Sequence, residues 1–220
     1  MKIVAFIPIK LNNERLPGKN LKAFDNGKPL ITYILETVLK VKKINDIYVY
    51  CSSDEICNYL PSGIKFKERN TSLDSAKTTG NNMIKAFKND VSADIYIKLH
   101  ATSPFTAVES IERGINAIIN DGYDCAFPVT RNTDFLWLNG IPNYNTSNIP
   151  RTQDLNPFYI ETTAFYIYRS NIINDFDSRI GKNPFLIEVS KIEAIDINEP
   201  VDFEIANAIY NHILSGGLNE

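Results

Sequence analysis

The residues best equipped for chemistry sit in one stretch near the start of this 220-residue chain, Lys10-Leu11-Asn12-Asn13-Glu14-Arg15-Leu16-Pro17-Gly18-Lys19-Asn20. Lys10, Arg15 and Lys19 supply three cations. Gly18 supplies a flexible point, and Asn12, Asn13 and the backbone supply hydrogen-bonding groups. Cations and backbone N–H groups gathered in one loop are the parts needed to surround a triphosphate. The stretch is neither G-x-G-x-x-G nor G-x-x-x-x-G-K-[ST], so it does not read as a dinucleotide or P-loop motif. Taken alone, the same charges also suit a solvated basic loop. His100 closes a strongly apolar run and is placed either for ligand contact or as a satisfied structural histidine. His212 lies at the far end of the chain and reads as structural, and two distant histidines make no zinc site.

The elements that must carry these residues alternate in type. Residues 3–9 form a short apolar run and predict a buried strand feeding the polar loop. Helical spacing of apolar residues predicts helices over 30–39, 78–87, 108–119 and 201–214. Ser53, Asp54 and Glu55 suit the opening of a short helix. Strands are expected over 46–51, 64–66, 93–99, 124–129, 164–168, 185–189 and 193–197. Such alternation argues for an α/β fold, a mostly parallel sheet with helices on both faces and right-handed crossovers. Ligands of such sheets collect at the carboxyl ends of the strands, where the Lys10–Asn20 loop and His100 fall. The chain is expected to be a single unit over 1–220. The stretch 131–158, rich in Asn, Pro and aromatic residues, is expected to form an arm or small insertion with Phe135, Leu136, Trp137 and Tyr144 as interface anchors, or else a local lid. The tail 215–220 is expected to fray.

Bulk properties narrow the partners. Hydrophobic residues make up 44% of the chain and charged residues 22%, enough for a sizeable core and unlike a disordered chain. The net charge of -3 provides no global basic field for a nucleic acid. Cys51, Cys57 and Cys125 show neither a disulfide framework nor zinc spacing and read as reduced core thiols. No signal-peptide pattern or membrane-length apolar run occurs, so a cytoplasmic protein is expected.

Three segments carry a family resemblance. Residues 7–21, IPIKLNNERLPGKNL, resemble the amino-terminal signature of the acylneuraminate (CMP-sialic acid) cytidylyltransferases, I-P-A-R-x-x-S-K-x-L-P-x-K-N-L. Leu99-His100-Ala101-Thr102-Ser103-Pro104 resembles the family's L-Q-P-T-S-P, and Ile195-Asp196-Ile197-Asn198 its I-D-I-D. Order and spacing agree over most of the chain. The resemblance implies a Rossmann-like nucleotidyltransferase fold, CTP as co-substrate, pyrophosphate release, Mg²⁺ dependence, a homodimer and a place in surface polysaccharide synthesis. It implies that Lys19 binds the CTP phosphates. Lys10 stands where the family has Arg and Glu14 where it has Lys, with Arg15 next to it as the substitute cation. It also implies that Arg69 with Ser75 and Thr78 surrounds the base, and that His100, Thr102 and Ser103 contact the acceptor.

Mg²⁺ prefers oxygen ligands and is commonly held by one or two carboxylates together with substrate phosphates. Asp196 and Asn198, two apart on an expected strand, share a face and match the family's metal pair, with a neutral ligand at Asn198. Glu199 and Asp202 are nearby alternatives, Asp202 also fitting an early-helix carboxylate. Family members acting on sialic acids carry an R-P-N-G-like segment whose Arg suits the sugar carboxylate. Ile160-Glu161-Thr162-Thr163 occupies that place. The expected acceptor is therefore a different acidic or phosphorylated metabolite, or an amino-bearing sugar paired with Glu161 and Thr162. Two alternatives stay open: a nucleotidyltransferase of other base specificity, against which the absence of a G-x-G-[TS]-R loop counts, and a degenerate nucleotide-binding module.

Overall fold

The computed structural model describes residues 1–214. At its centre runs β1 (Ile3–Ile9), flanked by parallel β2 (Asp46–Cys51) and β4 (Ile95–Leu99), with β3 (Ile64–Glu68) outside β2. Beyond β4 the order continues through β9 (Phe165–Arg169) and β5 (Cys125–Asn132) to β10 (Pro184–Glu188). β9 is antiparallel to both neighbours, and β5 and β10 run parallel to each other. The expected mostly parallel α/β sheet is present, with β9 inverted inside it and a further strand, described below, antiparallel on β5.

The alternation along β1 explains the two-sided core. Ile3, Ala5, Ile7 and Ile9 face the aliphatic layer packed by α1 (Leu30–Val38) and α3 (Val108–Asn120). Val4 and Phe6 face the opposite layer, where Phe87 of α2 (Gly80–Asp90) meets Tyr50, Tyr96 and Tyr168. Phe6 and Phe87 are stacked with ring centroids 4.0 Å apart and 7° between planes. α4 (Ser170–Phe176) shares that face through Ile173. A third cluster joins Leu16 of the cationic loop to Ile197 and to Phe203 of α5 (Pro200–Ile209). It fixes the first loop against the end of the chain.

The stretch 131–158 contains a small hairpin, β6 (Trp137–Leu138) and β7 (Ile141–Pro142), followed by a 3₁₀ turn at Thr152–Asp154 and by β8 (Phe158–Glu161). Asn139 and Gly140 turn the hairpin with φ of 52° and 78°, the left-handed pair that a two-residue hairpin requires. β8 lies antiparallel on the outer part of β5. Between the pairs Ala126↔Ile167 and Val129↔Glu161 the opposing chain uses three residues more than β5 does, and Thr163 absorbs the excursion at φ 60°.

Two expectations need correction. Residues 193–197 form turns rather than a strand. Their amides donate within the segment, as Ala194 to the Ser190 carbonyl and Ile195 to that of Ile192, while Ile197 N donates to Thr102 O at 2.8 Å. The segment crosses the sheet end, where no strand is available to pair with. Cys57 is exposed, unlike buried Cys51 and Cys125, because its 3₁₀ helix (Asp54–Tyr59) turns Ile56 inward instead. The helix expected over 201–214 passes into a π-helical turn at Tyr210–Leu214, and the expectation for 215–220 lies outside the described residues. Among the described residues no helix is long and apolar enough to cross a membrane.

Phe87 ties α2 to the sheet, so Phe87→Ala should cost about 3–5 kcal/mol of stability. Urea denaturation checks this; a loss below about 1 kcal/mol would show that the aromatic layer refills the space.

Candidate functional site

Strands β1, β3 and β4 end at the same edge of the parallel sheet, with β2 between β1 and β3, so Lys10, Arg69 and His100 emerge there together. There they line a cavity of about 290 Å³ with Asn13, Lys19, Ser75, Thr78 and Thr102. The structure thus gathers most of the residues singled out from sequence. Arg15 and Asn198 line an adjoining depression that also reaches Lys10, Asn12 and Lys19. Gly18 borders a third concavity with Asn12 and Asn13.

The first loop is held by its own polar groups. Gly18 adopts a left-handed conformation (φ 66°) and leads into the 3₁₀ turn Lys19–Leu21, which turns Lys19 and Asn20 inward. Asn20 Nδ2 donates to Lys10 O at 2.9 Å. Lys19, 7% exposed, donates its ammonium to Ile197 O at 2.6 Å. Burial lowers the Lys19 pKa, partly offset by the Asp196 charge; Arg15 lowers it further, and Asp202 raises it. Arg15 Nη2 donates to Asn198 Oδ1 at 2.9 Å, and Asn198 Nδ2 donates to Asp196 Oδ2 at 2.7 Å. A polar chain therefore links loop cation to carboxylate. Lys10 and Glu14 lie 3.9 Å apart.

The Asp196–Asn198 segment fits a divalent cation through a single carboxylate. Asp196 Oδ1 is buried and has no hydrogen-bond partner among the described residues. Asn198 is engaged between Arg15 and Asp196. Asp202 accepts the Glu199 and Asn198 amides at 2.8 and 2.9 Å, which lowers its pKa and makes it the capping-box partner of Glu199 at the start of α5. No cluster of three or more His, Cys, Asp or Glu suited to a metal occurs among the described residues. Asp196 would thus need substrate oxygens to complete a Mg²⁺ shell.

Other expected residues sit less directly. Arg69 is buried, pairs with Asp74 and thereby anchors the turn Thr71–Asp74 below Ser75. Ser103 is fully buried behind the cavity wall. Thr162 is buried, and its hydroxyl accepts from Ala164 N at 3.4 Å. Glu161 is exposed and accepts from Tyr166 OH at 2.7 Å. None of Ser103, Thr162 and Glu161 lines the main cavity. His100 does, with a buried, unpartnered Nε2. Burial, then the charges of Lys98, Arg179 and Lys19, push its imidazole well below the usual histidine range, so it is neutral.

Lys98 was not anticipated. It is 5% exposed within β4, and its side chain reaches the cavity. Burial and the nearby Arg179 push its ammonium down to about 8. A signal existed: a lone Lys between Ile97 and Leu99 in a strand buried on both faces. Asn20 and Gly80 also line the cavity. No local signal marks Arg179, which comes from the connection between α4 and β10.

Several known proteins are similar to this chain in sequence or in fold. The cytidylyltransferase family model matches residues 4–210. N-acylneuraminate cytidylyltransferase A of Danio rerio is 25% identical over 215 residues, 93% of this chain and 50% of that protein. The chain spans about half the length of that relative and of a second fish relative, from Oncorhynchus mykiss. CMP-N,N'-diacetyllegionaminic acid synthase of Legionella pneumophila is 27% identical over 228 residues, 95% of this chain and 96% of that protein. Among solved structures, a CMP:2-keto-3-deoxy-manno-octonic acid synthetase complexed with CTP superposes with a TM-score of 0.71 at 17% identity. The match covers 96% of this chain and 99% of that one.

Lys98 carries a pH signature. Below about pH 8 the folded chain holds a buried charge that the unfolded chain leaves in water. From there to the ordinary lysine value of 10.5 the folded state releases the proton first, so the penalty fades as pH rises. Lys98→Met should therefore be more stable than the wild type at neutral pH, with the gap narrowing by about pH 9.5. Urea midpoints across this range check it; a gap independent of pH contradicts a buried charged lysine.

Proposed function

The chain belongs to the cytidylyltransferase family, and on that footing we propose that it transfers CMP from CTP to a small acidic acceptor and releases pyrophosphate. The observation that carries this reading is the Lys19 ammonium bound to Ile197 O beside the Arg15–Asn198–Asp196 chain, which joins a triphosphate-type loop to a lone, half-satisfied carboxylate. Lys10, Arg15 and Lys19 neutralise the triphosphate, with Asn12, Asn13 and the backbone at Gly18 supplying polar contacts. Ser75 and Thr78 face the base, on a turn that Arg69 holds through Asp74. An oxygen of the acceptor attacks the α-phosphorus in line, and the bond to the departing pyrophosphate breaks. Positioning and charge stabilisation supply most of the rate. Mg²⁺, carried by Asp196 with Asn198 at its side, would provide Lewis-acid charge compensation at the phosphates.

The acceptor lies on the His100 and Thr102 side of the cavity. Neutral His100 adds no charge there. The R-P-N-G-type segment is replaced by Ile160-Glu161-Thr162-Thr163, so we place sialic acid itself outside the preferred acceptors. The reaction is assigned to the cytoplasm.

We also infer a homodimer formed through the 131–160 arm. Trp137, Leu138, Ile141 and Ile160 are each more than half exposed, a grouping unusual for a surface that stays in water. Phe135 and Tyr144 pack at 4.6 Å between ring centroids and stiffen the hairpin that would present them.

Lys19→Ala should lower kcat on the order of 10²-fold with the fold intact. Pyrophosphate release from CTP, Mg²⁺ and a panel of sugar acids and phosphorylated acceptors measures it. A near-normal rate for this variant sinks the phosphate-binding role of the loop. Efficient turnover of N-acetylneuraminate overturns the acceptor assignment. In sedimentation the wild type should run at about twice the 24.9 kDa chain mass and Trp137→Asp with Ile141→Asp as a monomer. A monomeric wild type removes the dimer.

A further inference from the structure

Lys98 and Arg179 form a cationic pair without a counter-charge. Neither has a carboxylate within ion-pair distance among the described residues. Lys98 is nearly fully buried, and Arg179 Cζ lies 4.0 Å over the Tyr166 ring with its Nε buried and unpartnered. Arg179 itself is half-buried; an unpaired buried cation such as Lys98 is costly, and a second cation beside it adds to the cost. Such a pair is retained where an anion completes it.

The geometry shows where that anion would sit. A Cβ at Gly80 would stand 3.0 Å from Arg179 Nη1 and 3.5 Å from Lys98 Nζ, so both cations converge on the first residue of α2. Gly80 has no positive φ to justify a glycine, and a glycine inside a helix is less favourable than an alanine. What it provides is room. The Thr79–Asn82 capping box satisfies the amides of those two residues, which leaves the helix start at Gly80 and Asn81 facing the cations with its positive end. A helix N-terminus beside two cations is favourable only when an anion lies between them. Lys98 and His100 share one face of β4 and the chain that follows it, so this corner opens into the acceptor side of the cavity.

We propose that Lys98 and Arg179, closed by the α2 N-terminus at Gly80, form the subsite for the acidic group of the acceptor, a carboxylate or a phosphate monoester. The assignment rests on the transfer reading above and supplies the cation that Ile160-Glu161-Thr162-Thr163 lacks. Tyr166 joins the two places: Arg179 stacks on its ring while its hydroxyl donates to Glu161 at 2.7 Å. A lysine from within a buried strand and an arginine from the α4–β10 connection thus take over a task the arm does not perform.

The test uses the full chain saturated with a non-hydrolysable CTP analogue and Mg²⁺, so that the first loop is already filled. Acetate, methyl phosphate and, as a neutral control, glycerol are titrated and followed by NMR shifts. At least one of the two anions should saturate the wild type, and the tighter one identifies the acidic group. Lys98→Met and Arg179→Gln should each weaken its binding on the order of tenfold or more, as for loss of a charged hydrogen bond. The anion should lose more affinity than the analogue does, because the first loop keeps its own cations Lys10, Arg15 and Lys19. Gly80→Ala, which blocks the pocket and removes no charge, should weaken the same anion. The proposal is overturned if neither anion saturates the wild type, or if the three variants bind as the wild type does. Failure of the analogue itself to bind counts against the transfer reading alone. The same titrations on nucleotide-free Lys19→Ala protein then still decide the subsite.

Discussion

The contact on which the site depends is the buried ammonium of Lys19 on the carbonyl of Ile197. A charged hydrogen bond of this kind contributes about 1.5–3 kcal/mol, and leaving the ammonium unpaired would cost more. The contact joins parts of the chain 178 residues apart, and Leu16, Ile197 and Phe203 pack around it. One bond thereby sets the position of three cations relative to Asp196. The Arg15–Asn198–Asp196 chain is possible only because the loop is anchored there. A short polar loop has little apolar surface of its own to bury, so a single buried cation with a matched acceptor does what a hydrophobic core does elsewhere.

Around that contact the sheet edge accumulates positive charge. Lys10, Lys19, Lys98 and Arg179 converge there, and Asp196 is the carboxylate placed to offset Lys19. His100 stays neutral because burial penalises its charged form, and the nearby cations add to that. The folded chain is electrostatically unfinished at this edge. The depressed pKa values of Lys19, Lys98 and His100 come first from burial, to which neighbouring cations add.

The inverted strand β9 shapes the His100 side of the cavity. By running antiparallel between β4 and β5 it brings Ala164 to accept the His100 amide at 2.9 Å and Tyr166 beneath Arg179. The three-residue excursion around Thr163 lets β8 pair with the outer part of β5 where β9 no longer does, and the hairpin Trp137–Pro142 forms its own two-stranded sheet. A purely parallel strand would have required a further crossover and could not have delivered this arm to the same edge.

Much of this was legible in residue order. The short apolar run at residues 3–9, the helical spacing in 30–39 and 108–119, and the alternation of strands and helices set the sheet and its layers, because buried elements must repeat the geometry of their backbone. Gly18 between cations marked the loop, since local charge and local flexibility are both written in the chain. The turn Asn139-Gly140 was equally local and was missed although its dipeptide requires a hairpin. What tertiary structure alone decided were the pairings across distance: Lys19 with Ile197, Arg15 with Asn198, and Lys98 with Arg179 at Gly80. A side chain's protonation and partners depend on who is beside it after folding, and local spacing carries no record of that. For the same reason 193–197, whose apolar pattern suggested a strand, became a set of turns: at the sheet end it found Thr102 and Lys19 to bond with, and no strand.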